Sequence, residues 1–344
     1  MRSKPRCFAL TLVLAAGLAP WLAACGSSSD GGSAADVSVG EPALTQAPAT
    51  EPAGTDTPTS TPTSTDAAFP MTIDAVNGPV ALAAQPGAIV SLSPTATEML
   101  FAIGAGPQVT AVDDQSNYPA EAPITDLSGF EPNVEAIAAK QPDLVVVADD
   151  TAGLTASLGK LGIPVLSLPA AQSFDDMYTQ IEQLGAATGN VGGAAELVGQ
   201  MKTDIEAVVK SLPERANPLT YFHELDNTLY SATSKTFIGQ VYALLGLQNI
   251  ADAADPDGTG YPQLSQEFLI QANPDLIFLA DTICCGQTAE TVAARPGWDQ
   301  LSAVQNGHVV PLSDDVVSRW GPRVVDFLKQ AAAGVAAVQP APAG

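Results

Sequence analysis

The residues best suited to hold a ligand form the segment Arg-Trp-Gly-Pro-Arg at 319–323. It follows a predicted strand and precedes the last predicted helix, which is where α/β proteins place the loops of a cleft. Arg319 can offer paired donors to carboxylate or catecholate oxygens, and Trp320 can lie flat against a planar chelate. The alternative is that Arg319 pairs with Asp314 or Asp315 while Trp320 covers the core of its lobe.

Other residues of suitable type lie on predicted loops, strand ends and helix starts. A lysine before a helix can pair with an anion, aromatic rings can pack on an apolar ligand, and turn hydroxyls can meet an anionic group. Loop aromatics also pack under their own loops, and turn hydroxyls also cap their own helices. The candidate ligand contacts are Lys235, Tyr118, Phe130, Tyr221, Tyr230, Tyr261, Ser93 and Thr95.

The adjacent cysteines Cys284 and Cys285 allow two interpretations. Outside the cytoplasm, neighbouring thiols can form a strained vicinal disulfide that stiffens the loop before Gly286. A thiolate pair can also bind a soft metal, but the third and fourth ligands of a closed site are missing. The disulfide is therefore the favoured prediction.

No motif in the sequence predicts an enzyme. The chain lacks a Gly-x-Ser-x-Gly elbow, a P-loop, a dinucleotide-binding turn and a His-Glu-x-x-His pair. His223 and His308 lie far apart, so a His-rich metal cage is not expected. The 13 Lys and Arg against 37 Asp and Glu give a net charge of −24, which argues against binding to nucleic acid. We predict no catalytic residue, no cofactor and no bound metal.

The first 24 residues resemble a bacterial lipoprotein signal peptide. Basic residues precede an apolar stretch, residues 8–19, that is too short to span a bilayer. Leu-Ala-Ala-Cys at 22–25 resembles a lipobox, in which Cys25 carries the lipid; the alternative is an ordinary signal peptide with an incidental cysteine. We expect an extracytoplasmic protein held at the membrane by its acyl chains. Residues 25–69 are rich in Ser, Thr and Pro and predict a disordered tether.

The remaining chain alternates short apolar runs with helical patterns, which is typical of α/β domains with a largely parallel sheet. One unit occurs twice, 132 positions apart: an N-cap residue, a glutamate two residues later, a helix, a Pro-Asp pair and an apolar strand. Coincidence between two common local patterns is the alternative. The repeat predicts an N-terminal lobe at 70–188, a connecting helix at 189–213 and a C-terminal lobe at 214–340.

Five segments together resemble the class III solute-binding proteins of ABC importers, the family that binds vitamin B12, ferric siderophores and haem. Two of them resemble the family's opening strand and helix and its tyrosine-proline segment. The other three resemble its two glutamate-bearing helices and the start of its second lobe. The segments are 89–100, 114–119, 133–145, 237–249 and 265–279.

The resemblance implies two Rossmann-like lobes bridged by one long helix, with a ligand cleft between lobes that open and close little. It also implies that Glu135 and Glu267 dock on the two subunits of an ABC permease, and the repeat singles out the same two residues. First-turn acids are favoured by the helix dipole, so both can also be ordinary helix-start residues. The binding protein is expected to be a monomer.

The charge distribution suggests a cargo. No Lys or Arg occurs between Cys7 and Ala139, whereas six Lys or Arg residues follow the connecting helix. Cations concentrated in the second lobe predict a ferric siderophore or another anionic iron chelate. Cobalamin and haem are the alternatives within the family, and an envelope scaffold or sensor that delivers no cargo is the alternative outside it.

Overall fold

A computed structural model describes residues 68–338. The predicted signal peptide, Cys25 and nearly all of the predicted tether lie outside the described residues. Between 68 and 338, ten strands and eleven α-helices form two α/β lobes, each around a parallel sheet, as the sequence predicts. Every helix in this range is too short or too polar to cross a bilayer.

An antiparallel hairpin precedes the first sheet and covers its edge. Its strands are β1 (Met71–Ala75) and β2 (Gly78–Leu82). Between them, Asn77 donates from Nδ2 to the carbonyl of Val165 (2.9 Å) and accepts at Oδ1 from the N–H of Ser167 (3.2 Å). These bonds satisfy backbone groups that an uncovered edge strand would leave unpaired.

The first lobe has a four-stranded parallel sheet. Its strands are β3 (Ile89–Leu92), β4 (Val109–Val112), β5 (Leu144–Val147) and β6 (Val165–Ser167). Their order across the sheet is β4-β3-β5-β6. Every residue of β3 and β5 is buried, because helices cover both faces of such a sheet, and this explains their continuous apolar runs. The helices are α1 (Pro94–Ala102), α2 (Val134–Ala138), α3 (Leu154–Gly159) and α4 (Phe174–Thr188).

One long helix, α5 (Val191–Ser211), connects the lobes. Its 21 residues correspond to about 32 Å at 1.5 Å per residue. It packs against α4 of the first lobe and against the last helix of the second. The helical pattern in the sequence reaches Leu212, but that residue is extended (ψ 141°) because Pro213 follows it and disfavours the helical conformation.

The second lobe repeats the parallel arrangement. Its strands are β7 (Thr220–Glu224), β8 (Gln248–Asn249), β9 (Leu276–Leu279) and β10 (Val309–Pro311), in the order β10-β9-β7-β8. Six helices accompany them. They are α6 (Phe237–Leu244), α7 (Gln266–Ala272), α8 (Ala289–Ala293), α9 (Ser302–Gln305), α10 (Asp314–Val317) and α11 (Val324–Ala337).

A continuous apolar core passes from one lobe to the other. Leu144 and Val146 of the first sheet belong to the same buried cluster as Tyr221 and Phe278 of the second. Side chains of α5, such as Met201, belong to it as well. Because the core is shared, the lobes are joined by packing as well as by the chain itself.

The repeated unit has the same structural role in both lobes. Asp143 accepts hydrogen bonds from the N–H groups of Gly87 (2.9 Å) and Ala88 (3.0 Å), just before β3. Asp275 accepts from the N–H of Thr220 (2.8 Å), the first residue of β7. Each Pro-Asp aspartate therefore satisfies donors at the start of the central strand of its sheet.

Candidate ligand-binding cleft

A buried carboxylate joins the two lobes. Glu98, on α1, accepts from Nη1 of Arg319 at Oε1 (2.8 Å) and from Nε of Arg323 at Oε2 (2.8 Å), both in the second lobe. The Glu98 side chain is 1% exposed and that of Arg319 is 8% exposed. The hydrogen bond to Glu98 raises the pKa of Arg323. Burial strengthens such charge-assisted bonds, so the cluster helps to fix the position of one lobe relative to the other.

Arg319 has no donor left for a ligand on its two terminal nitrogens. Besides Glu98, Nη1 donates to Oδ1 of Asn117 (2.9 Å), while Nη2 donates to Oδ1 of Asp315 (3.0 Å) and to the Gln115 carbonyl (3.2 Å). The sequence allowed Arg319 either to contact a ligand or to pair with a nearby aspartate, and in the structure it pairs with Asp315. It also bonds Glu98 of the other lobe, a partner that the sequence did not suggest.

The first of two cavities beside the 318–320 segment is acidic. It has a volume of about 360 Å³ and is lined by Asp113, Asp149 and Asp315, with Arg319 as its only cation among the described residues. Phe130, whose surface is 77% exposed, forms one wall. We call this cavity the acidic chamber.

The acidic chamber lies where strands of the first sheet end. Asp113 directly follows β4, and Asp149 follows β5 by two residues. Asp113 is buried, which raises its pKa, and its Oδ1 has no hydrogen-bond partner within residues 68–338. A buried carboxylate bordering a cavity needs a donor, which a ligand can supply.

The second cavity carries the opposite charge. Its volume is about 240 Å³, and its lining includes Lys235, Tyr261 and the glycine-rich loop 258–260. Among the described residues, neither Asp nor Glu lines it. Ala170 to Gln172 of the first lobe complete the wall. We call this cavity the lysine chamber.

Trp320 stands between the two chambers and lines both. Its indole Nε1 donates to Oε1 of Gln180 on α4 (3.0 Å), and Gln180 donates in turn to the Pro169 carbonyl (2.7 Å). The ring is partly buried against the shared core. Both sequence-based readings of Trp320 thus describe part of its position: it packs on the core and also borders the cavities.

The structure brings most of the predicted ligand contacts to this cleft. Ser93, Thr95 and Phe130 line the acidic chamber, and Lys235 and Tyr261 line the lysine chamber. Ser93 also caps its own helix, because its Oγ accepts from the N–H of Ala96 (3.3 Å).

Three predicted aromatic contacts lie elsewhere. Tyr221 is 0% exposed and packs on Tyr242, with ring centroids 4.3 Å apart, so its prediction as a ligand contact is wrong. The residue belongs to a central strand whose two faces are both covered. Tyr118 and Tyr230 are exposed but line neither chamber; the Tyr118 ring carries the Arg323 guanidinium 4.3 Å from its centroid.

Cys284 and Cys285 are two exposed free thiols, so the favoured vicinal disulfide is not formed in this structure. The loop is ordered by Asp314 instead, which accepts from the N–H groups of Thr282 (2.8 Å) and Cys284 (2.7 Å). The hydrogen bond with Cys285, burial and Asp314 raise the pKa of Cys284 to about 12. Among the described residues, no group of three or more His, Cys, Asp or Glu side chains is placed to hold a metal, so the pair does not complete a soft-metal site there.

Sequence reasoning missed the acidic residues of the cleft, because acids on loops are usually solvated. The available signal was position: Asp113 and Asp149 come one and two residues after apolar strands, and ligands of open α/β sheets bind at the carboxyl ends of strands. Gln180 and Glu98 lie within helices, and their partners in the second lobe are more than a hundred positions away.

The two glutamates of the repeat occupy matching positions. Glu135 and Glu267 are exposed first-turn residues of α2 and α7. The side chains of Asn133 and Ser265 cap these helices by accepting from the N–H groups of Ala136 (3.0 Å) and Phe268 (3.1 Å). Each lobe therefore presents one such carboxylate to solvent, and docking on a permease remains a prediction.

The second lobe contains its own buried charge cluster. Glu224, at the end of β7, accepts from both terminal nitrogens of Arg295 (2.6 Å each). Asp281 is fully buried beside this pair, and its carboxylate has no hydrogen-bond partner among the described residues. Burial and the neighbouring Glu224 raise the pKa of Asp281 to about 7. The cluster therefore favours holding a proton.

Comparison with known proteins identifies the family to which this architecture belongs. Residues 89–316 match the sequence family described as "Periplasmic binding protein". The ABC transporter substrate-binding lipoprotein YvrC of Bacillus subtilis is 32% identical over 281 residues, which cover 78% of this chain and 86% of the relative. A cobalamin-binding protein of Halobacterium salinarum is 31% identical over 271 residues, covering 75% of this chain and 72% of the relative.

A solved structure supports the same assignment. A solute-binding protein from Staphylococcus epidermidis, described as possibly iron-binding, superposes with a TM-score of 0.65 at 27% identity. The match covers 73% of this chain and 99% of that one. The chain therefore belongs to the periplasmic binding protein family, as a two-lobed, extracytoplasmic substrate-binding protein of the ABC-importer type rather than an enzyme.

Proposed function

We propose that this protein captures a corrinoid, a chelate of the cobalamin type, and delivers it to an ABC importer. The observation that carries the proposal is the charge of the acidic chamber. Three aspartates line it; Asp315 is paired with Arg319, which also bonds Glu98, so Asp113 and Asp149 are left without a cation partner among the described residues. Such a chamber favours a ligand with donors and without net negative charge.

The arginines that suggested an anionic chelate are used inside the protein. Arg215 donates to the Val335 carbonyl (2.9 Å), and Arg295 pairs with Glu224. Arg319 and Arg323 both bond Glu98. Since these cations already have partners, their number in the sequence does not measure the positive charge available to a ligand.

A corrinoid matches what the cleft offers. Its ring edge carries primary amides, whose N–H groups are suitable donors for the aspartates, and its broad faces suit the Phe130, Trp320 and Tyr261 rings. Haem propionates and catecholate siderophores, in contrast, would bring negative charge to the two unpaired carboxylates of Asp113 and Asp149. The similarity to the Halobacterium salinarum cobalamin-binding protein supports the same choice.

A ferric siderophore is the second candidate. The Staphylococcus epidermidis structure described as possibly iron-binding favours it. Within that class, an uncharged hydroxamate chelate suits the acidic chamber better than a catecholate, because it brings no negative charge to the aspartates.

Delivery rests on features shared with the family. We place Glu135 and Glu267 at the contact with the two permease subunits, because both are exposed at matching helix starts. We place the lipid anchor at Cys25, in agreement with the lipoprotein name of the Bacillus subtilis relative.

Calorimetric titration of the purified protein tests the cargo. We expect cyanocobalamin to bind with 1:1 stoichiometry at sub-micromolar concentration and haemin and a ferric catecholate to bind far more weakly. Asp149→Asn, in the acidic chamber, should weaken cobalamin binding, whereas Asp126→Asn, an exposed acid that lines neither chamber, should not. Tight binding of a ferric hydroxamate alone would establish the second candidate. Tight binding of a catecholate or haemin would contradict the charge argument.

A further inference from the structure

The two chambers differ in sign, and this difference indicates how a ligand is oriented. The acidic chamber is lined by three aspartates, and the lysine chamber by Lys235 without any Asp or Glu among the described residues. Both share Ser318 and Trp320, so one ligand large enough to pass Trp320 contacts both. A ligand with a neutral or cationic body and one anionic branch would fit this polarity in a single orientation.

Lys235 is available for such a branch. Within residues 68–338 it forms no salt bridge, in contrast to Arg295, Arg319 and Arg323. Its Nζ lies 3.7 Å from the position that a Cβ on Gly258 would take, so the amine sits against the glycine-rich loop that lines the chamber.

The acid near Lys235 is engaged by that loop. Asp255 accepts from the N–H of Thr259 (2.8 Å), the Thr259 hydroxyl (3.0 Å) and the N–H of Gly260 (2.9 Å). The bond from Gly260 first, then those from Thr259 and the charge of Lys235, lower the pKa of Asp255. Asp255 therefore shapes the loop, whose residues Gly258 and Gly260 have positive φ (66° and 82°), and leaves Lys235 facing the chamber.

Backbone groups at the start of α6 add to the same subsite, and a buried hydroxyl lies behind its loop. Phe237 and Ile238, the first residues of α6, line the chamber, and helix-start N–H groups have no intrahelical partner. Thr233 is 1% exposed, and its hydroxyl has no hydrogen-bond partner in the described part of the chain. That hydroxyl lies 3.9 Å from the position of a Cβ on Gly260, directly under the chamber-lining loop.

We propose that Lys235 and the start of α6 form an anion subsite for the phosphodiester of the cobalamin nucleotide loop. The inference rests on the proposed corrinoid cargo. It adds that the protein distinguishes complete cobalamin from cobinamide, which has the corrin ring but lacks the phosphodiester and nucleotide. Lys235 then determines specificity for cobalamin over cobinamide and does not raise the affinity for both corrinoids alike.

The test compares cyanocobalamin and cyanocobinamide by calorimetry at low salt. We expect the wild-type protein to prefer cobalamin by about tenfold, because one charge-assisted contact is of that strength. Lys235→Met should remove this preference by weakening cobalamin alone, and Lys235→Arg should keep most of it. Lys329→Met, an exposed lysine in the same lobe that lines neither chamber, is the matched control.

The outcomes separate the inference from the function on which it rests. Added NaCl should weaken cobalamin binding to the wild type more than to Lys235→Met, since salt screens an exposed charge pair. Equal losses for both corrinoids in Lys235→Met, or no loss for either, would overturn the anion subsite. If neither corrinoid binds the wild type, the proposed cargo itself is wrong.

Discussion

The two lobes share a backbone unit and differ in how they use buried charge. Gln141 in the first lobe and Asn273 in the second, 132 positions apart, both have a positive φ (52° and 44°) where the repeated helix turns into Pro-Asp. Buried glutamates diverge: Glu98 meets two arginines of the other lobe, whereas Glu224 meets one arginine of its own lobe and a second acid, Asp281.

This difference assigns distinct tasks to similar side chains. A carboxylate with an excess of cations binds two elements together, and here those elements are the two lobes. A carboxylate with an excess of acid favours an added proton, and the Glu224 cluster lies within one lobe. The two lobes thus share a backbone unit, while their buried charged side chains have different roles.

The largest expected effect is on cargo uptake, and it tests whether the matching glutamates of the two lobes have the same role. Reversing Glu135 and Glu267 together to Lys should abolish cargo uptake by cells, because both proposed permease contacts become repulsive, while ligand affinity stays unchanged. Each single reversal should cause a similar partial loss. Glu196→Lys, an exposed acid on α5, is the control. Loss of ligand affinity in the double variant would show that the docking assignment is wrong.

The next effect tests the tie between the lobes. Glu98→Gln should lower the free energy of unfolding by about 3 kcal/mol, because it removes the salt-bridge partner of Arg323 and leaves Arg319 with Asp315 alone. Urea denaturation at neutral pH measures it. Glu206→Gln, which breaks the exposed pair with Lys210, should have only a small effect. Similar losses in both variants would mean that the interlobe cluster adds no more than a surface pair.

Within the second lobe, the same substitution should have a smaller effect. Glu224→Gln should lower the unfolding free energy by about 1–2 kcal/mol, because Asp281 remains beside Arg295 to balance its charge. The double variant with Asp281→Asn loses that replacement and should be destabilised by more than the two single effects added together. Simple additivity in urea denaturation would contradict the proposed exchange of partners.

A further effect is a dependence of stability on pH. The pKa of Asp281 is raised from 3.8 to about 7, so between these values the folded chain holds a proton that the unfolded chain releases. Rising pH through this window therefore removes stability. Burial lowers the pKa of His223 from 6.5 to about 3, which has the opposite sign because the unfolded chain then binds the extra proton.

The Asp281 contribution is therefore measured as a difference between proteins. The unfolding free energy of Asp281→Asn minus that of the wild type should increase from acidic to neutral pH, while His223 contributes equally to both. A difference that stays constant with pH would show that Asp281 titrates in the fold as it does in the unfolded chain.

Much of the fold could be predicted because its signals are local. Fully buried strands produce continuous apolar runs, and the repeated cap, Glu and Pro-Asp mark two similar units. The end of α5 needed one further rule, since Pro213 excludes Leu212 from the helix.

The cleft was harder to predict because its properties depend on pairing. Arg319 is a cation in the sequence, but Glu98, which lies 221 positions away, takes its charge. Tyrosine is a suitable residue type for a ligand contact, but Tyr221 is buried in a strand whose two faces are both covered. Lys235 and Phe130 have no such partner or cover among the described residues and line the two chambers, and their contact with a ligand stays a prediction.

The cluster at Glu98 has a consequence for the release of cargo. Any separation of the lobes wide enough to break its bonds would part Glu98 from both arginines and open the apolar core that both lobes share. We expect spontaneous opening of the lobes to be rare and brief. We expect opening of the docked protein to need energy from the importer, in proportion to the strength of this interlobe cluster.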